Sequence, residues 1–115
     1  MIKPTWHEFE ADMIKLAAQL KPLSFDYITG IPRGGLVIAV KLSHMLKIPY
    51  KPYYTVTGSE TLLVDDIADT GATASACPFT WKKYVTWYYH EQSVIVPDYW
   101  ITKKEKEWIV FPWEI

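Results

Sequence analysis

Thr61-Leu62-Leu63-Val64 reads as a buried β-strand, and it opens without a spacer into Asp65-Asp66-Ile67-Ala68-Asp69-Thr70-Gly71-Ala72-Thr73. An apolar run of this kind suits a strand covered on both faces, which is the situation of a parallel sheet between helices. A polar loop at the carboxyl end of such a strand lies at the edge where open α/β sheets bind ligands. The run therefore constrains both the fold and the place of any site.

The rest of the chain is consistent with that class. Thr5-Trp6-His7-Glu8 has the form of a capping box, and Phe9, Met13, Leu16, Ala17 and Leu20 follow at helical spacing, which predicts a helix over Trp6–Leu20. A short β-prone run at residues 25–29 stops at Gly30, Pro32, Gly34 and Gly35. Leu36, Ile38, Ala39, Leu42 and Leu46 then predict a helix over Gly35–Leu46. Residues 50–56 are β-rich, a helix is expected from about Ala72 toward Lys83 although Pro78 should shorten it, and residues 84–89 read as a strand. Residues 94–96 with 98–101 offer one more, and the tail from Trp108 is aromatic and irregular. Strands alternating with helices predict a parallel sheet covered on both faces, in one domain over residues 1–115.

A formal charge of −1 gives no long-range attraction for a phosphate backbone, so small ligands are expected and nucleic acid is not. Cys77 is alone and cannot form an internal disulfide, which fits a reducing cytoplasm. Residues 1–5 carry no apolar signal core, and no apolar run approaches the ~20 residues of a membrane span, so no membrane partner is expected.

The acidic loop has two chemical halves. A helix starting near Ala72 would present unpaired N–H groups to an anion, with Thr70 and Thr73 hydroxyls as further donors and Gly71 allowing close approach. A phosphate suits that half. The carboxylates before it would repel a dianion unless they face something else. Vicinal sugar hydroxyls and a hard cation such as Mg²⁺ are natural partners, so Asp65 and Asp66 are expected on a ribose, with Asp66 toward Mg²⁺. Any one of these residues alone would also suit an ordinary turn or cap. Upstream, Arg33 is the only arginine, set between Pro32 and two glycines, and its guanidinium can grip phosphate through two parallel hydrogen bonds.

The whole run from Val64 to Thr73 resembles the ribose-phosphate loop of the type I phosphoribosyltransferases. Gly30-Ile31-Pro32-Arg33-Gly34-Gly35 resembles that family's pyrophosphate-binding loop. Trp108-Ile109-Val110-Phe111-Pro112-Trp113-Glu114 resembles the C-terminal segment of its xanthine–guanine members, where a tryptophan stacks on the purine. The resemblance implies an α/β fold with a mainly parallel sheet flanked by helices and a reduced C-terminal hood. It places ribose 5-phosphate among Asp65, Asp66, Asp69, Thr70, Gly71, Ala72 and Thr73, and pyrophosphate on Arg33, Gly34 and Gly35. The purine falls to Trp108, Ile109 and His90, with Asp69 and Arg33 catalytic and Asp69 assisting the proton balance of the purine imidazole. His90 stands where the family has a lysine that recognises the 6-oxo group, a departure from its pattern. Implied partners are phosphoribosyl diphosphate and a purine base or nucleotide monophosphate, with a homodimer or higher homo-oligomer.

One family feature is short here. Active members carry a long flexible loop before the ribose-phosphate strand, and Thr57-Gly58-Ser59-Glu60 is all that occupies that place. Two functions are therefore expected of such a chain. One is transfer of ribose 5-phosphate to a 6-oxopurine (guanine, xanthine or hypoxanthine), and the other is sensing of the diphosphate sugar or a nucleotide without turnover.

Overall fold

The opening amphipathic segment forms α1, Trp6–Leu20, in the computed structural model, which describes residues 1–58 and 60–114. A reciprocal cap sets its start: Thr5 Oγ1 accepts the Glu8 N–H at 3.0 Å and Glu8 Oε1 accepts the Thr5 N–H at 3.0 Å. Two otherwise orphaned donors of the first turn are thereby satisfied. Phe9, Met13, Leu16 and Leu20 make its buried stripe. β1 follows at Tyr27–Gly30 and α2 at Gly35–Leu46, closed by Lys47 in the left-handed region.

After α2 the chain returns to the sheet on the outer side of β1. There Tyr50 bridges Ile28 in parallel, with Ile28 N–H donating to Pro49 O and Lys51 N–H to Ile28 O, both at 2.9 Å. The strand expected over residues 50–56 goes no further. Pro52 has no amide for a ladder, and Tyr53–Thr55 is a 3₁₀ turn instead.

The chain then crosses to β2, Thr61–Ala68, and on to β3, Lys83–His90, and β4, Thr102–Lys104, in a parallel sheet of order β1-β2-β3-β4. β2 outlasts its apolar residues: pairing with β3 runs on to Ala68↔Tyr89, so Asp65 and Asp66 belong to the strand rather than to the loop. The helix expected from Ala72 to about Lys83 is the single turn α3, Ala72–Ser75, because Pro78 and the extended backbone it favours in Cys77 stop propagation. The last strand forms at Thr102–Lys104 rather than at residues 94–101, where Tyr99 only bridges Val85.

These connections run in opposite directions. From β1 the chain moves outward to the Tyr50 edge, and from β2 it moves the other way to β3. The carboxyl ends of β1 and β2 thus frame a switch point, where a crevice opens because successive crossovers leave on opposite faces. α1 and α2 bury one face through Phe9, Met13, Ile38, Leu42, Val64 and Trp87. The other carries a smaller cluster of Ile31, Tyr53, Leu63, Ala74 and Tyr84, edged by Phe79 and Trp81. Its cover is one helical turn and aromatic loops, less than the full helical layer that the alternation predicts.

The C-terminal segment folds back over the same end as a reduced hood. Ile109 bridges Ile2 in parallel, with Ile2 N–H donating to Trp108 O and Val110 N–H to Ile2 O, both at 2.9 Å. Phe111 and Trp113 stack at 5.1 Å with planes 5° apart, and Trp113 also packs on Phe9 and Trp87. Among the described residues no helix is long and apolar enough to cross a membrane.

Candidate active site

The loop leaving β1 is pressed against β2. Ile31 N–H donates to Val64 O at 2.8 Å and Gly35 N–H to Ile31 O at 2.9 Å, and the Pro32–Arg33 peptide is cis. A Cβ on Gly35 would collide with Val64 O, and one on Gly34 with the Asp66 carboxylate. The two glycines therefore let the loop approach the acidic end of β2. Arg33 is exposed, and with Gly34, Leu36, Val37, Asp66, Trp113 and Glu114 it lines a cleft of about 630 Å³.

Asp65 and Asp66 part company. Successive strand residues face opposite sides of a sheet. Asp66 faces the Arg33 cleft, while Asp65 is 5 % exposed, lines neither that cleft nor the cavity beside it, and gives Oδ1 to the Asp66 N–H at 2.8 Å. Burial, reinforced by the neighbouring Asp66 charge, pushes the Asp65 carboxyl up to about 9. The joint ribose contact expected of the two acids is divided by the pleat: Asp66 is presented to the clefts, and Asp65 is buried on the opposite face with its carboxyl toward the Thr73 side chain. Burial raises Asp66 as well.

Beyond β2, Gly71 sits at φ +90° with Val94 N and Ile95 N each 2.8 Å from where a Cβ would stand. Val94 N–H in turn donates to Thr70 O at 3.0 Å. Thr70, Ala72 and Thr73 are exposed. The Ala72 N–H is taken by Thr70 Oγ1 at 3.2 Å, whereas the Gly71 and Thr73 amides have no acceptor among the described residues. With α3 only one turn long, the donors available to an anion are these local amides and hydroxyls, and the dipole of an extended helix is not present to add to them. Residues 70–73 line neither cleft.

A second cavity, of about 200 Å³, adjoins the Arg33 cleft and shares Asp66 and Glu114 with it. Its other lining residues are Ile67, Asp69, Lys104, Trp108, Ile109 and Phe111. Trp108 and Ile109 are both brought to this cavity. Trp108 is 72 % exposed and Ile109 buried. Asp69 is a hub: its Oδ1 accepts Gln92 Nε2–H at 3.0 Å and lies 3.3 Å from His90 Nδ1 and 3.5 Å from Lys104 Nζ. His90 reaches Asp69 but does not line the cavity.

Ile67, Lys104, Phe111 and Glu114 are the lining residues of this cavity that sequence reading missed. Lys104 sits in a run of charge, Lys103-Lys104-Glu105-Lys106-Glu107, which reads as solvated surface, yet pairing of β4 with β3 buries it beside His90. Glu114 is held by the turn at Pro112–Glu114, where its Oε1 accepts the Phe111 N–H at 2.7 Å. The Phe-Pro-Trp-Glu tail was the available signal, but it was read for its aromatics.

No family model matches the chain. It is 27 % identical to a xanthine-guanine phosphoribosyltransferase of Chromohalobacter salexigens, over 96 % of this chain and 82 % of that protein. A crystal structure of a purine phosphoribosyltransferase from Pyrococcus horikoshii superposes with a TM-score of 0.87 at 29 % identity, covering 99 % of this chain and 94 % of that one. A Helicobacter pylori xanthine-guanine-hypoxanthine phosphoribosyltransferase gives a TM-score of 0.84 at 16 % identity over 99 % and 92 % of the two chains, a likeness of fold.

Proposed function

We propose that this chain, similar to a xanthine-guanine phosphoribosyltransferase and to a purine phosphoribosyltransferase of solved structure, transfers ribose 5-phosphate from phosphoribosyl diphosphate to a 6-oxopurine. The observation that carries the reading is the pair of adjoining clefts that share Asp66 and Glu114, one faced by Arg33 and the other by Asp69, Trp108 and Ile109. Two substrates that must exchange one group need two pockets meeting at the reacting carbon.

Arg33, with the backbone of Gly34 and Gly35, holds the diphosphate. Thr70, Gly71 and Thr73 take the 5-phosphate through the amides and hydroxyls that the protein leaves available, whereas the Ala72 amide, expected there too, is spent on Thr70 Oγ1; Asp66 accepts from the ribose hydroxyls. The purine lies between Trp108 and Ile109. A purine nitrogen then forms a bond to the anomeric carbon as the bond from that carbon to the diphosphate oxygen breaks, and pyrophosphate departs. The proton released by the purine imidazole passes to Asp69, whose carboxylate borders the base cavity. A group so placed contributes ~10²–10⁴ in rate.

The donor set fits Mg²⁺. Among the described residues no three acidic, histidine or cysteine side chains cluster as a metal cage, but Mg²⁺ typically takes one or two carboxylates and completes its shell with phosphates and water. Asp66 offers such a carboxylate on the cleft shared with Arg33. When bound there the ion would neutralise diphosphate charge.

The sensing alternative is favoured by the short connection between the turn at Tyr53–Thr55 and β2 at Thr61, part of which, Ser59, lies outside the described residues. Steady-state assay with guanine, xanthine and hypoxanthine, beside calorimetry with phosphoribosyl diphosphate and Mg²⁺, separates the two. Pyrophosphate release dependent on an oxopurine supports transfer. Tight binding of the sugar with no release supports sensing and sinks the enzyme.

A further inference from the structure

We infer that Lys104, supplied by β4, is the residue that selects an oxo over an amino group at the purine 6-position, and that His90 acts behind it only by positioning Asp69. The inference rests on the base-binding reading of the 200 Å³ cavity and goes beyond it in naming the discriminating atom.

His90 and Lys104 are register partners on adjacent parallel strands, so both side chains leave the same face of the sheet and both reach Asp69. Their roles differ in what else they touch. His90 Nδ1 is buried with Asp69 as its acidic neighbour, and His90 does not line the cavity. Lys104 does line it, at 8 % exposure, with Nζ donating to Glu107 O at 3.2 Å. An ammonium has three N–H donors and no acceptor. One goes to Glu107 O, a second points to Asp69 at 3.5 Å, and the third remains for the cavity.

A buried cation held this way needs an acceptor when a planar base displaces water from around it. A carbonyl at the purine edge supplies one. An exocyclic amine supplies only N–H and leaves two donors facing each other, the arrangement that a site built on hydrogen bonding rejects most strongly. The Asp69 carboxylate steadies the ammonium on its other side, and Gln92 and His90 fix that carboxylate in turn.

The test is calorimetric titration of the full chain with inosine monophosphate, adenosine monophosphate and ribose 5-phosphate alone. The parent should bind the oxo nucleotide roughly 10- to 100-fold more tightly than the amino one, as expected for a hydrogen bond to a charged group. Lys104→Met should bring the two nucleotides to parity, and Lys104→Gln, whose amide can accept as well as donate, should tighten the amino nucleotide. Both should leave ribose 5-phosphate affinity within about twofold of the parent. His90→Gln should keep the oxo preference. Preference surviving in both Lys104 variants, or loss of preference in His90→Gln alone, would overturn the assignment while sparing the function reading, provided ribose 5-phosphate still binds; parity in the parent would overturn the assignment together with the 6-oxopurine part of that reading. Failure of the parent to bind any of the three would overturn both.

Discussion

Replacing Trp108 with alanine isolates purine stacking from stability, because Trp108 is a large side chain with very little to lose by removal. It is 72 % exposed, and none of the ring–ring contacts among the described residues involves it. A tryptophan buries up to about 250 Å² when enclosed. Little more than a quarter of that is covered here, so at ~25 cal/mol per Å² the loss is at most about 2 kcal/mol, or a Tm decrease of several degrees. Stacking on a base is worth ~1–3 kcal/mol, which corresponds to roughly 5- to 150-fold in affinity. Titration of Trp108→Ala with guanosine monophosphate should show that weakening, while ribose 5-phosphate binds as in the parent. Trp113→Ala is the contrasting variant: it strips packing from Phe9, Trp87 and Phe111 and should cost ~3 kcal/mol or more in urea denaturation. Unchanged purine affinity in Trp108→Ala, or an equal loss for the sugar phosphate, would refute the stacking role.

Three other outcomes follow from contacts at the switch point. Gly34→Ala drives a methyl into the Asp66 carboxylate, so the fold should survive while affinity for phosphoribosyl diphosphate falls by about tenfold or more; Gly35→Ala meets the Val64 backbone instead and should show its loss in thermal melts. Asp69→Asn keeps the shape of the hub but removes its charge, and rapid-quench turnover should drop by ~10²-fold or more with sugar-phosphate affinity nearly unchanged; equal losses in both would remove it as the proton acceptor. Asp65→Asn preserves the acceptor for the Asp66 amide and eliminates a buried acid. Since the folded carboxyl titrates well above the unfolded one, ionisation of the unfolded chain opposes folding increasingly from about pH 4 toward about pH 9. Urea midpoints should therefore favour the variant at pH 7.5 and show no gain at pH 3.5; a gain of the same size at both values would mean the carboxyl's charge is not the cause.

Much of the fold follows from short-range chemistry that a linear reading captures. The Thr5–Glu8 cap, the helical spacing from Phe9 to Leu20 and the stop at Gly30-Ile31-Pro32 act within a few residues, and α1 and α2 lie where those signals put them. The readings that missed depend on pairing between distant segments. β2 continues through Asp65 and Asp66 because β3 offers it partners, which the polarity of those residues conceals. Residues 50–56 yield one bridge rather than a strand because Pro52 meets a single sheet edge.

From its amino acids alone this chain declares an acidic, glycine-bearing loop after a buried strand, a lone arginine between a proline and two glycines, and an aromatic tail, since each is a local composition whose chemistry needs no neighbours. Which acid is presented and which is hidden was decided by the pleat of β2, and which cation borders the base cavity by the register of β4 on β3. Both are properties of a sheet, whose hydrogen bonds join residues far apart in the chain and turn side chains to one face or the other.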